Sequence, residues 1–479
     1  MPNGDCSRWP LGRCWRAPAL GRAACERIEP LRKNALKWAM CFGIAVAVGS
    51  APVANAEDMF QAMAAAYETN PDLASARADL RVQDERVANA LSGYRPSVSG
   101  SASAGVSRVD QDGVDSNTEP VTIAVSVDQP LYTGGRVGAS VSQAENNVLA
   151  ARAALASTEQ SVLQNVGSAY MDVLQLRAVL ALNQNNEDVL RRQLEATLDR
   201  FEVGEITRTD VSQAETRLAR AQADRIAAQG NVDAAVSVYE RIVGETPGDL
   251  QPAPAFNVAT SLEEALSLAL QRNPTLLQAQ STLRAASAAV RGADAALRPS
   301  LNLTGSAQQA WDPNSSVDDQ TSFSATLQLS VPLYQAGSAS STARQRRQSL
   351  EGARRDLESA RRQVADQVIQ AWIALTAARA EIVARQTQVD TAEVALEGVQ
   401  QEATVGSRTV LDILDAEQEA LNARVNLVSA ERDSVVAELG LLSAVGELTA
   451  ASLDLPVPLY DATVHYRTVR NRWWGVDTQ

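Results

Sequence analysis

The chain has 479 residues, with 43 lysine and arginine against 57 aspartate and glutamate, and a single histidine, His465. All four cysteines (Cys6, Cys14, Cys25, Cys41) and both lysines (Lys33, Lys37) lie in the first 56 residues, so the chain from Glu57 onward has no disulfide, no thiolate, no P-loop lysine and no Schiff base. A lone imidazole builds no metal site, and the acidic balance after Ala56 (35 basic against 54 acidic residues) disfavours nucleic acid as a partner, so neither an enzyme nor a cofactor is expected.

Residues 1–56 combine a basic stretch (Arg32, Lys33, Lys37), an apolar run from Trp38 to Val53 and the small-residue site Ala54-Asn55-Ala56. This is the pattern of a secretory signal peptide with a long charged lead, either an extended signal or a start placed too far upstream. No cysteine lies beyond it, which argues against a lipid anchor at the mature N-terminus. Nor does any later apolar run approach the eighteen or so residues of a membrane helix, so any membrane segment must be built of strands.

The remainder is a tandem duplication with an offset of 202 or 203 residues. Asn70-Pro71 recurs as Asn273-Pro274, YRPS at 94–97 as LRPS at 297–300, and PLYTGG at 130–135 as PLYQAG at 332–337. Val203-Gly204 recurs as Val405-Gly406, and Gly244-Glu245 as Gly446-Glu447. The two units span 57–250 and 260–450, with an extended C-terminal segment at 451–479. Each unit predicts, in order, a helix broken at Asn-Pro, a strand hairpin (about 97–131 and 300–333) and two long helices. These helices fall at about 136–202 and 208–243, then at 338–404 and 410–445.

The hairpin strands alternate with period two. Val121, Ile123, Val125 and Val127 oppose Thr122, Ala124, Ser126 and Asp128; Phe323, Ala325, Leu327, Leu329 and Val331 oppose Ser324, Thr326, Gln328 and Ser330. Polar acidic loops join them, through Asp110, Asp112, Asp115 and Glu119 and through Asp312, Asp318 and Asp319. The lengths suit tilted membrane strands, apolar toward lipid. Four strands cannot close a barrel, and an open sheet in lipid leaves backbone groups unpaired, so the chain is expected to oligomerise.

The proline-free helices are far longer than a globular core needs. Leu411, Leu414, Gln418, Leu421, Val425, Val428, Arg432, Val435, Leu439 and Leu442 keep coiled-coil spacing, and Val141, Val148, Leu155 and Val162 step by seven. Asp412 and Asp415 stand one turn apart beside this seam, within VGSRTVLDILDAEQEAL at 405–421. Thr207-Arg208-Thr209-Asp210 and Thr409-Val410-Leu411-Asp412 also fit a capping box, so Asp210 and Asp412 have a local role open to them while Asp415 does not. A structural coiled-coil protein, such as a periplasmic adaptor or a surface fibre, is the alternative reading.

The duplication, the two PLY-x-x-G turns and VGSRTVLDILDAEQ resemble the TolC family of outer-membrane efflux and secretion ducts. The ending LYDATVHYRTVRNRWWG is similar to that of alphaproteobacterial members. The resemblance implies a mostly α protomer with a small share of membrane β-barrel, closing as a homotrimer with a twelve-stranded barrel and an α-helical tunnel. It implies an outer-membrane location reaching into the periplasm, in contact with outer-membrane lipid, with a periplasmic adaptor and an inner-membrane ABC or RND-type pump as partners. Asp412 and Asp415 would line the entrance. Arg408 would close it by reaching Thr209 and Asp210 on the neighbouring coil, and Val203, Gly204, Val405 and Gly406 would form the tips that meet the adaptor. A tyrosine position just before the second tip is Ala403 here, which makes the implied closing network lighter.

Overall fold

The structure, a computed structural model, describes residues 58–111, 114–314 and 316–476. The predicted signal peptide lies outside the described residues. The first half comprises α1 (Met59–Thr69), α2 (Pro71–Ser92), β1 (Ser97–Ala104), β2 (Ser107–Gln111), β3 (Val114–Thr118), β4 (Val121–Tyr132), α3 (Arg136–Glu202) and α4 (Arg208–Val243). The second half comprises α5 (Leu262–Arg272), α6 (Pro274–Ala295), β5 (Ser300–Asn314), β6 (Val317–Ser330), α7 (Ser338–Thr404) and α8 (Val410–Val445), and α9 (Val464–Val469) comes last. Both α3 and α7 have 67 residues, and both α4 and α8 have 36. At 1.5 Å per residue the long pair each extend about 100 Å. Among the described residues no helix is long and apolar enough to cross a membrane.

Two of the repeated motifs prove to be halves of one joint. Asn70 caps α2 by accepting from Asp72 N at 2.9 Å, and its amide donates to Ile242 O at 3.2 Å. Asn273 caps α6 in the same way (Thr275 N, 2.9 Å) and donates to Ala444 O at 2.8 Å. Each asparagine is buried, each following proline fills a first-turn position that lacks an N–H requirement, and each amide satisfies a C-terminal carbonyl of α4 or α8. Those helices end on Gly244 and Gly446, both at φ +95°. An Asn-Pro break is thus tied to a glycine helix end some 170 residues later.

The main core gathers around this joint. Tyr170 and Tyr239 are fully buried with ring centroids 6.5 Å apart, and Tyr170 Oη donates to Gln251 O at 2.8 Å. Met59, Met63, Leu73, Leu163 and Leu439 join them. A second cluster sets Val364, Val368 and Leu375 of α7 against Leu276, Leu441 and Val445. Val148, Leu155 and Val162 face inward at their seven-residue steps. On α8 the seam is less regular: Leu414, Leu421, Leu439 and Leu442 are buried, but Leu411 is 39% exposed and Ala420, Ala423, Ala430 and Ser434 take interior places. Small residues let neighbouring helices approach closely there, so burial does not follow side-chain size.

The antiparallel sheet has the order β1-β4-β5-β6. The first hairpin differs from expectation. The acidic stretch after β1 continues as a second ladder, β2 with β3, in which Asp110 stands opposite Asp115. The break between the two ladders falls at Pro120, which has no N–H to give; Gly105 N donates to Pro120 O at 3.0 Å instead. The second hairpin runs through to Asn314 and Val317 with one irregularity after Trp311. Along β4 exposure alternates, and the apolar row is the more exposed: Val121, Ile123, Val125 and Val127 lie at 38–49%. Phe323, Leu327 and Leu329 are exposed likewise at 81%, 60% and 63%. Within the chain β1 and β6 each pair on one side only.

The C-terminal segment is not extended throughout. Asp461 Oδ1 accepts from the backbone and hydroxyl of Thr463 (2.8 and 2.7 Å), and this local turn leads into α9, whose Val469 is buried. Pro456 and Pro458 keep only the stretch before it out of helix.

Candidate entrance and hairpin tips

The two helix-hairpin tips have one geometry. Glu205 N donates to Arg200 O and Ser407 N to Glu402 O, both at 3.0 Å, closing a turn over Gly204 and Gly406, each at φ +79°. A left-handed glycine lets α3 reverse into α4, and α7 into α8, within a few residues. Val203 and Val405 stand 78% and 79% exposed at the tips. Each tip carries an ion pair of opposite chain order, Arg200–Glu205 at 3.0 Å and Glu402–Arg408 at 2.7 Å.

Helices α4 and α8 then start on capping boxes. Thr207 N donates to Asp210 Oδ2 at 2.9 Å and Asp210 N to Thr207 Oγ1 at 3.3 Å. Thr409 and Asp412 repeat both distances. These bonds favour the ionised carboxylates: the Thr207 hydroxyl and then its backbone N–H hold Asp210 below the usual carboxylate range, and the backbone and hydroxyl of Thr409 do so for Asp412. Asp412 is therefore both a cap and a fixed negative charge.

Asp415, one turn on, points elsewhere. Its Oδ1 accepts from Arg217 Nη2 of α4 at 2.5 Å, with Asp415 58% and Arg217 26% exposed. Beside this link Leu190 of α3, Leu218 and Ala221 of α4, and Val410 and Leu414 of α8 form a small apolar cluster. The α3/α4 and α7/α8 coils of one chain are thus joined near the tips by a charged pair over a greasy contact. A third carboxylate, Glu417, accepts from Gln400 Nε2 at 3.0 Å, and burial pushes it above the usual range.

The expected links of Arg408 to Thr209 and Asp210 are not made within the chain. Arg408 turns back to Glu402, six residues away, Asp210 is held by its own cap, and Thr209 is exposed on the first turn of α4. A short arginine-to-glutamate reach inside one tight turn competes directly with any reach to another coil. The sequence reading missed Arg217. Nothing in its neighbourhood marks it out from Arg208 or Arg220, since only the rotation of α4 against α8 selects which arginine meets Asp415.

Both halves match a family model described as outer membrane efflux protein, over residues 62–245 and 265–447. The outer membrane efflux protein BepC of Brucella suis biovar 1 (strain 1330) is 36% identical over 428 residues, which cover 89% of this chain and 93% of BepC. The outer membrane protein TolC of Escherichia coli (strain K12) is 26% identical over 405 residues, covering 79% and 81% of the two chains. Among solved structures, a membrane protein from Pseudomonas aeruginosa shares the fold with a TM-score of 0.75 at 19% identity, covering 82% of this chain and 91% of that one. These likenesses run through helices and strands alike, and they leave no place for the adaptor or surface-fibre alternative. With both of its repeated halves matched and an outer-membrane relative aligned nearly end to end, the chain belongs to the outer membrane efflux protein family and is a channel protein of the outer membrane.

Proposed function

We propose that three copies of the chain close a twelve-stranded barrel and a helical tunnel, through which substrates delivered at the periplasmic tips leave the cell. The number three is what the family resemblance implies, and the observation that carries closure by several copies is the half-finished sheet. Its free edges β1 and β6 and its exposed rows of valine, leucine and phenylalanine are stable in lipid only if the edges pair with other copies. The partners are a periplasmic adaptor, meeting Val203, Gly204, Val405 and Gly406, and an inner-membrane ABC or RND-type pump. The exposed valines beside rigid glycine turns are the feature that supports the adaptor contact.

At the entrance, Asp412 and Asp415 from three copies bring six carboxylates to one mouth. Crowded like charges repel each other and attract cations, giving a narrow, cation-preferring constriction. Closing links from Arg408 to Thr209 and Asp210 of the neighbouring coil belong to this proposal, and they require Arg408 to exchange out of its pairing with Glu402.

Planar-bilayer conductance of the purified protein tests the entrance. The parent is expected to prefer cations and to be blocked by divalent ions, and Asp412→Ala/Asp415→Ala is expected to lose both traits. Unchanged cation preference and divalent block, whatever the change in conductance, would leave a channel whose aspartates serve only the helix start and the coil link to Arg217.

A further inference from the structure

We propose that the C-terminal segment 460–476 is a membrane-surface anchor, which climbs α2 and lays Trp473 and Trp474 in the headgroup region of the periplasm-facing phospholipid leaflet. The proposal rests on reading the sheet as membrane-spanning.

The path of the segment is fixed by its fastenings. At its start Tyr460 N donates to Tyr67 Oη at 3.2 Å, and the Arg77 guanidinium lies over both rings, 4.7 and 5.2 Å from their centroids. Seven residues further along α2, the buried carboxylate of Asp84 meets His465 Nδ1 at 3.1 Å. At the top, Arg95 Nη1 donates to Arg472 O at 2.5 Å while its guanidinium stacks 4.9 Å from the Trp473 ring. Arg95 stands two residues before Ser97, where β1 begins. The segment therefore tracks α2 toward the sheet and delivers its tryptophans to the level at which the chain passes from helix to strand.

What it delivers suits an interface. Trp473 and Trp474 are 68% and 89% exposed, although large apolar rings are costly in water. Exposed tyrosines stand at the same level: Tyr94 beside Arg95 at 53%, Tyr132 at the end of β4 at 51%, and Tyr334 between β6 and α7 at 86%. Tryptophan and tyrosine are enriched where an apolar ring and a polar edge meet a bilayer surface. The charge also fits: 460–476 holds Arg467, Arg470 and Arg472 against Asp461 alone, and although Arg470 pairs with Glu145 at 3.1 Å, the stretch stays basic in a strongly acidic protein. Guanidinium groups beside interfacial rings match the phosphates of anionic phospholipids. A neighbouring copy, whose acidic surface also attracts arginine, is the competing occupant; the position of the pair at the helix–strand junction, where the proposed membrane sheet begins, favours lipid.

The test uses Trp311→Phe/Trp372→Phe protein, purified from outer membranes and placed in phosphatidylethanolamine/phosphatidylglycerol vesicles. The same protein with Trp473→Phe/Trp474→Phe added supplies the emission to subtract. With bromine on the acyl chains near the glycerol, the tail emission is expected to fall by roughly half, and by less with bromine at the bilayer centre. Mobility that shifts on boiling in SDS reads the barrel separately. A heat-modifiable oligomer whose tail emission ignores both lipids overturns the anchor and leaves the barrel standing; blue-shifted emission without quenching would place the pair against a neighbouring copy. Loss of heat-modifiable mobility in the parent chain would remove the membrane sheet and the anchor with it.

Discussion

Gly446→Ala is expected to lower the melting temperature of the detergent-solubilised protein far more than Gly406→Ala. Both glycines hold left-handed backbone, at φ +95° and +79°, so alanine carries the left-handed penalty of about 1 kcal/mol at either site. The surroundings separate them. At Gly406 a Cβ would meet nothing within 4 Å, whereas at Gly446 it would lie 2.8 Å from the carbonyl carbon and oxygen of Arg272 and 3.0 Å from Asn273 Cα. Those atoms are backbone of the Asn273 joint and cannot swing aside, so overpacking adds about 1–3 kcal/mol. The Arg272–Glu447 ion pair and the Asn273–Ala444 bond would be pulled apart together. Circular dichroism on heating reads both variants; equal shifts would mean that α5 and α8 move apart freely and that the joint is not rigid.

Arg217→Ala is expected to raise channel conductance. The Arg217–Asp415 pair crosses from α4 to α8, so it resists any swing of one coil away from the other. Half-exposed pairs of this kind contribute about 0.2–1 kcal/mol each. In the proposed trimer, three of them acting on one concerted opening would shift its equilibrium by roughly three- to 150-fold. Arg217→Lys should restore the parent conductance at least in part, because the charge remains. Arg408→Ser is the informative companion. Its visible partner, Glu402, lies in the same tip, so opening by this variant would report a reach to Thr209 and Asp210 on another coil, while no change would confine Arg408 to the turn. Single-channel recordings distinguish the three variants.

How much of the fold is legible in the sequence depends on how local each cause is. The long helices and the Val-Gly tips are legible because proline-free runs, capping boxes and glycine turns act within a few residues. The alternation of β4 and β6 is legible for the same reason; along β4 the apolar row is the more exposed one, as the lipid-facing reading expects, while every position of β6 is exposed. The Asn-Pro and Gly-Glu repeats are visible as motifs, but their joining is not, since Asn70 and Ile242 meet only through tertiary packing. The extension of the first hairpin hides behind its acidic composition, although Val109, Val114 and Thr118 are good strand formers. Arg217 and the climb of 460–476 along α2 depend on helix rotation and long-range docking. Alanine-rich helix faces carry little signal for either.

In the proposed assembly each chain supplies four strands to a barrel closed by three copies. Native mass spectrometry of the oligomer released from outer membranes in mild detergent tests it most directly. A particle of three chains whose mobility in SDS shifts on boiling is expected. A particle of one or two chains would contradict it, because neither supplies the twelve strands that the sheet edges β1 and β6 are proposed to close.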